Sequence, residues 1–168
     1  MILAYRPFDV DDYVSVAGIE GTVKRMNLVS TKITTVDNQT PIVPNSKIWG
    51  DVIRNYTGQQ VRRVDTEFSI SYDDSIEQAE QVLWSVLEQV PAILKSPEPN
   101  IRVHRHAESS IDFIVRPWVR TQDYWPTFWT LQREVKLAFD EAGISIPFPQ
   151  RDVHHYYPSG ASDEGRPA

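Results

Sequence analysis

Short apolar runs cut by turn residues fill the first third of the chain. Residues 13–16, 22–28, 32–36, 40–43 and 51–56 read as β-strands, with Gly18, Gly21 and the Asp37-Asn38 pair supplying the turns between them. Five short strands at this spacing predict a small closed barrel. The polar stretch Thr57-Gly58-Gln59-Gln60 interrupts the pattern, and strands alternate with long helices beyond it. A boundary between two domains is therefore placed at 58–60.

After the break, Val64, Phe68, Ile70 and Tyr72 alternate with polar residues, the period of a strand with one buried face. Ser75 and Gln78 then have the spacing of a capping box. Ile76, Ala79, Leu83, Val86, Leu87 and Val90 follow at helical spacing until Pro91 ends the run. Residues 101–106 and 110–119 read as a hairpin, the second strand placing Ile111, Phe113 and Val115 on one face. A second helix is predicted over 123–142, with Pro126 in its first turn, Gly143 as its C-terminal cap, and Trp125, Phe128, Leu131, Val135, Ala138, Phe139 and Ala142 on its buried stripe. Strand, helix, strand, strand, helix is a split βαβ arrangement of ferredoxin-like kind. The prolines of Ile146-Pro147-Phe148-Pro149-Gln150 make that segment extended. Residues 152–157 form a last strand-like run, and the polar tail 158–168 lacks the apolar content needed to order itself. The fold class is α+β: a small five-stranded barrel over 6–57, an α/β domain over 61–150, and a terminal strand over 151–157.

The order of the N-terminal pieces resembles the small-conductance mechanosensitive ion channel (MscS-like) family. Arg6-Pro7-Phe8 is similar to the step by which family members leave their pore helix. Gly18-Ile19-Glu20-Gly21-Thr22-Val23 resembles the family's Gly-x-x-Gly-x-Val turn, and 30–37 its Thr-x-x-Arg-Thr-x-Asp-Gly hairpin. Pro44-Asn45-Ser46-Lys47-Ile48 resembles its Pro-Asn-Gly/Ser-x-Ile element. Tyr72-Asp73-Asp74-Ser75-Ile76 and the run 139–150 match family positions as well. Two departures stand beside these matches. Asn38 replaces the hairpin glycine, which Asn's tolerance of positive φ accommodates, and Asp9 replaces a basic residue that some relatives carry.

The resemblance implies an Sm-like or SH3-like barrel, a ferredoxin-like domain and a C-terminal oligomerisation strand, with residues 1–5 the stub of a pore helix. It also implies a homo-oligomer, a ring of seven, enclosing a vestibule whose side portals filter ions and small solutes for a tension-gated pore in the inner membrane, this part lying on the cytoplasmic side. Asn45 falls at a position on the vestibule roof implicated in gating, and Arg6 at one that pairs with a membrane-domain loop. Arg62 and Arg63 match the basic pair where portals form. Val153, His154, His155 and Tyr156 match the strands that close a barrel at the base of the ring. The rival reading is a free-standing soluble oligomer that binds a small ligand or RNA.

Composition narrows these alternatives. A formal charge of −6 and a pI near 5.2 weigh against a phosphate backbone as main partner, so no nucleic acid is expected. No run reaches the roughly 18 apolar residues of a spanning helix. With no cysteine, thiolate metal sites are excluded, and His104 and His106 supply two ligands where zinc takes three or four. No cofactor is expected. The pairs Asp11-Asp12 and Asp73-Asp74 sit at turns and helix starts, where carboxylates cap backbone N–H groups. No nucleophile elbow, phosphate-binding loop or metalloprotease pattern occurs, so the chain does not read as an enzyme. Tyr124 and Trp129 fall off the predicted stripe and are candidates for a subunit contact.

Overall fold

The computed structural model describes residues 6–155; the 1–5 stub, Tyr156, Tyr157 and the 158–168 tail lie outside them. The chain has a mixed α/β fold with two separate apolar cores.

The N-terminal half is an antiparallel five-stranded sheet of order β4-β3-β2-β1-β5. Its strands are β1 (Tyr13–Val16), β2 (Ile19–Met26), β3 (Ser30–Thr34), β4 (Ile42–Pro44) and β5 (Arg54–Asn55). Alternation does the sorting: Val14, Val16, Val23, Ile33 and Val43 point inward and join Phe8 and Ile48 in one core. The β1–β2 connection is a two-residue turn in which Ala17 (φ 48°) and Gly18 (φ 76°) both take positive φ, the geometry a tight hairpin requires. Asn38, at φ 64°, performs the substitution expected of it in the β3–β4 loop. Gly21 permits close packing of β2 on β3, since a Cβ there would lie 2.4 Å from the Thr34 carbonyl oxygen.

One expectation is corrected here. The sheet has edges at β4 and β5, which are not neighbours in it, so hydrogen bonding does not close the strands of this chain into a ring. After Pro44 the chain turns into a five-residue helix, α1 (Asn45–Trp49), which buries Ile48 under the sheet.

The C-terminal half places two helices on a three-stranded antiparallel sheet of order β7-β9-β8. The strands are β7 (Thr66–Ile70), β8 (Asn100–His106) and β9 (Ile111–Arg116); the helices are α2 (Ile76–Gln89) and α3 (Tyr124–Ala142). Ser75 caps α2 by accepting from the Gln78 N–H at 3.2 Å, as the capping box predicts. Gly143 ends α3 in the left-handed conformation at φ 70°. Leu83, Val86 and Leu87 of α2, with Leu131, Val135 and Phe139 of α3, cover Phe68, Ile70, Ile101, Phe113 and Val115 of the sheet.

The predicted strand 110–119 is two strands, because Pro117 has no N–H to continue the ladder. The second piece, β10 (Trp118–Arg120), leaves the sheet to pair with β6 (Val61–Arg63), a strand that the reading of 57–60 as a simple break did not anticipate. Trp125 is 53% exposed rather than buried, being in the first turn of α3 and off the face that carries Leu131 and Val135. Tyr72, assigned to the buried face of β7, lies beyond the strand end and is 49% exposed. Tyr124, in contrast, packs against the core. Residues 151–155 are exposed and in no regular element. No helix among the described residues is long and apolar enough to cross a membrane.

Candidate functional site

Asn45 stands at the corner where β4 becomes α1, and it is buried. Its amide Nδ2 donates to the Asn27 carbonyl at 2.8 Å, its Oδ1 accepts from the Thr31 hydroxyl at 2.9 Å, and its backbone N–H donates to the Val29 carbonyl at 2.8 Å. Asn27 in turn folds the β2–β3 loop by accepting from the N–H groups of Val29 and Ser30. The Asn45 side chain is thus spent inside the protein, clamping a loop to a helix start. Leu28 and Val29, at the tip of that loop, are 80% and 76% exposed and form the apolar surface which this clamp positions. Arg6 lies at the margin of the same half, exposed and paired with Asp9 at 2.6 Å.

The basic pair lies where the two halves meet, and its members differ. Arg63 forks onto Asp65, with Nε at 2.7 Å and Nη2 at 3.1 Å, so its charge is locally answered and its guanidinium stays positive more firmly than usual through that bond. Arg62 forms no ion pair among the described residues. Its guanidinium lies 4.0 Å from the centroid of Tyr124 and 5.2 Å from that of Tyr56, within the range of cation–π attraction to both rings. A cavity of about 400 Å³ opens beside them, lined by Tyr56, Arg62, Arg63, Asp65 and Trp118. A second, of about 640 Å³, lies next to it between Gln60, Leu94, Arg120 and Thr121. Sequence reading found the arginines but not Tyr56 or Tyr124 as their partners. Contact between residues 62 apart leaves no mark in local pattern.

A third feature went unread. Asp112, on the middle strand, is 2% exposed on the sheet face away from the helices. A β-bulge between Val103 and Arg105 brings Arg105 opposite it in register. Arg105 Nε sits 2.7 Å from the carboxylate, and the hydroxyls of Ser69 and Ser110 donate to it at 2.6 and 2.8 Å. Burial raises the Asp112 pKa, but these donors and the guanidinium outweigh it and hold the carboxyl at about 2, below its ordinary 3.8. The same bulge makes His104 the residue without a partner in the register and leaves His106 opposite Ile111, both exposed. Among the described residues no three metal-ligating side chains converge.

One member of each acidic pair caps backbone N–H groups, while Asp11 instead pairs with Lys24 at 3.3 Å. Asp12 accepts from the Asp9 N–H, from Asn55 Nδ2 and from the Thr57 hydroxyl, and burial working against these bonds does not prevent a net lowering of its pKa. Asp74 accepts from the N–H groups of Ser71 and Ser145, tying the end of β7 to the segment after α3. Val153, His154 and His155 are exposed and in no regular element.

The family described as "Mechanosensitive ion channel, beta-domain" matches residues 1–58, and "Mechanosensitive ion channel MscS, C-terminal" matches residues 64–146. The chain is 37% identical over 158 residues to an MscS family protein of Synechocystis sp., covering 94% of this chain and 53% of that one. It is 36% identical over 156 residues to a small-conductance mechanosensitive channel of Edwardsiella ictaluri, covering 93% and 54%. The crystal structure of Helicobacter pylori MscS in its closed state superimposes with a TM-score of 0.88 at 24% identity, over 93% of this chain and 62% of that one, which is a likeness of fold. The chain belongs to the MscS family of mechanosensitive channels. It spans about half the length of the curated relatives it matches.

Proposed function

We propose that this chain is the cytoplasmic vestibule part of a mechanosensitive channel subunit. In the assembled protein, tension in the inner membrane opens a pore, and copies of this part, seven in the proposed ring, form a chamber whose side portals filter ions and small solutes. The observation that carries the reading is that the first half of the chain matches the channel family's beta-domain and the second half its C-terminal domain.

Within that reading, the N-terminal half is the Sm-like domain next to the pore, its free edges β4 and β5 the surfaces available to neighbouring copies. The C-terminal half is the ferredoxin-like domain forming the chamber wall. Asn45 serves the roof by fixing the β2–β3 loop, so that Leu28 and Val29 rather than Asn45 itself make the contact. Arg6 exchanges Asp9 for a partner in the membrane domain. Arg63 and Arg116 share the single carboxylate of Asp65, so this cluster leaves a net positive charge at the portal, while Arg62 is committed to the rings beside it. The segment carrying Val153, His154, His155 and Tyr156 becomes a strand only when other copies supply its hydrogen-bond partners.

A chimera tests this. The matching region of the Edwardsiella ictaluri channel is replaced by residues 6–168 and the product is reconstituted for patch recording. Tension-activated currents whose ion preference shifts when Arg63 is changed to Glu support the reading. A chimera that assembles and inserts but passes no current at any tension, or whose selectivity ignores Arg63, sinks it.

A further inference from the structure

The two halves are joined by a very short passage of chain. Thr57 belongs to the first half: its hydroxyl accepts from the Tyr13 N–H at 3.0 Å and donates to Asp12 at 3.0 Å. Gln60 already belongs to the second, because its carbonyl accepts from the Thr121 N–H at 2.9 Å, and β6 follows at once in register with β10. The Gln59 carbonyl also accepts from the second half, from the Thr121 hydroxyl, so Gly58 alone remains between them, with its N–H spent on the Asn55 side chain. A link of that length leaves the angle between the halves to be set by contacts beside it.

Arg62 makes such a contact. It stems from β6 in the second half and reaches back over the link to Tyr56 in the first, while its other side meets Tyr124 at the start of α3. Each ring is fixed by its own half. Tyr56 lies 5.7 Å from the Tyr13 ring, donates its hydroxyl to Glu20 at 2.7 Å and its N–H to the Tyr13 carbonyl. Tyr124 meets Trp125 edge to face at 5.2 Å and packs on the second core. Lacking an acidic partner, the guanidinium has only ring faces to favour its place, and its weak hydration and planar shape suit it to them where an ammonium would stay in water.

We infer that Tyr56, Arg62 and Tyr124 form a clamp that holds the two halves at one angle, and that the link at Gly58 is the hinge it restrains. This rests on the geometry of the chain itself and stands whether or not the channel reading does. Arg62 is a positioning residue in this scheme, acting through the two rings.

Because the chain has no cysteine, spin labels can be placed cleanly, at Lys32→Cys on β3 and Glu88→Cys on α2. Labelled chains are diluted into unlabelled wild type so that only distances within one chain are read by pulsed dipolar spectroscopy. The expected parent distribution is narrow. Arg62→Met and Tyr124→Leu each broaden it about twofold, the double variant broadens it no further, and Tyr124→Phe, which keeps the ring, leaves it near the parent. Circular dichroism confirms that both halves remain folded in each variant. Unchanged widths in folded Arg62→Met and Tyr124→Leu overturn the clamp, as does equal broadening by Tyr124→Phe and Tyr124→Leu. Where Arg62→Met does not fold, Tyr124→Leu against Tyr124→Phe decides by the same criterion.

Discussion

Arg105 Nε lies 2.7 Å from the Asp112 carboxylate, and the two stand opposite each other because a bulge at His104 shifts the register of β8 by one residue. Without the bulge His104 would stand opposite Asp112, and Arg105 would turn to the other face of the sheet.

This pair gives an acid-dependent term in stability with a definite sign. The folded-state pKa of Asp112 is depressed from 3.8 to about 2, so its contribution is complete above pH 4 and disappears as pH falls through that interval. It amounts to at most about 2 kcal/mol, solvent reaching Arg105 from one side. Asp112→Asn is expected to lower the denaturation midpoint at pH 7 and to converge on wild type only as pH falls through about 2. Parallel curves at all pH values would show that the carboxylate charge is not the stabilising feature.

Asn45→Asp keeps shape but cannot donate to the Asn27 carbonyl and sets a carboxylate against it. A loss of about 1–3 kcal/mol is expected, with Asn45→Ala similar, seen as a lower melting temperature with an unaltered far-ultraviolet spectrum. If instead Asn45→Ala melts with wild type, the clamp on the β2–β3 loop contributes nothing.

Two glycines make opposite claims on space and dihedral. Gly21→Ala forces a Cβ within 2.4 Å of the Thr34 carbonyl oxygen and 2.7 Å of Ile33 Cγ2, a backbone clash that pries β2 from β3. Gly143→Ala meets open space but must hold φ near 70°, at a cost of about 1 kcal/mol. Urea titrations should rank Gly21→Ala as the more damaging by at least about 1 kcal/mol, and the reverse order would contradict the packing described for β2.

Truncation after Gln150 removes the segment proposed to become a strand on assembly. Light scattering should show loss of the oligomer while circular dichroism stays unchanged. Full-length and truncated chains forming equally stable rings would rule out that segment as the closure.

What could be read from sequence was what local periodicity or a capping residue encodes. Helices α2 and α3, the Ser75 cap, the Gly143 terminus and the turn at Asn38 all follow from spacing within a few residues. Helix α1 is not legible in the sequence because five residues hold too little periodicity. The pairing of β6 with β10 and the Arg62 sandwich join residues some sixty positions apart, where no local signal exists. Trp125 was assigned inward on spacing alone, although the first turn of a helix often projects past the surface it covers. The arginine pair was found by resemblance, yet which arginine is free to meet solutes depends on Asp65, Tyr56 and Tyr124.

The segment 146–150 has a mechanical consequence. It is tied at one end by the Ser145 N–H on Asp74 and at the other by the Gln150 N–H on Ser109, with Phe148 left 82% exposed between. The chain therefore departs from the tip of the β8–β9 hairpin, not from the end of α3. A pull applied beyond Gln150 loads Ser109 first, then the anchors of Ser145 on Asp74 and on the Ser71 N–H, and reaches the last turn of α3 only after these have let go. A tether arranged in this way passes a tug on the terminal segment into the β8–β9 hairpin and the end of β7 before it reaches the helix.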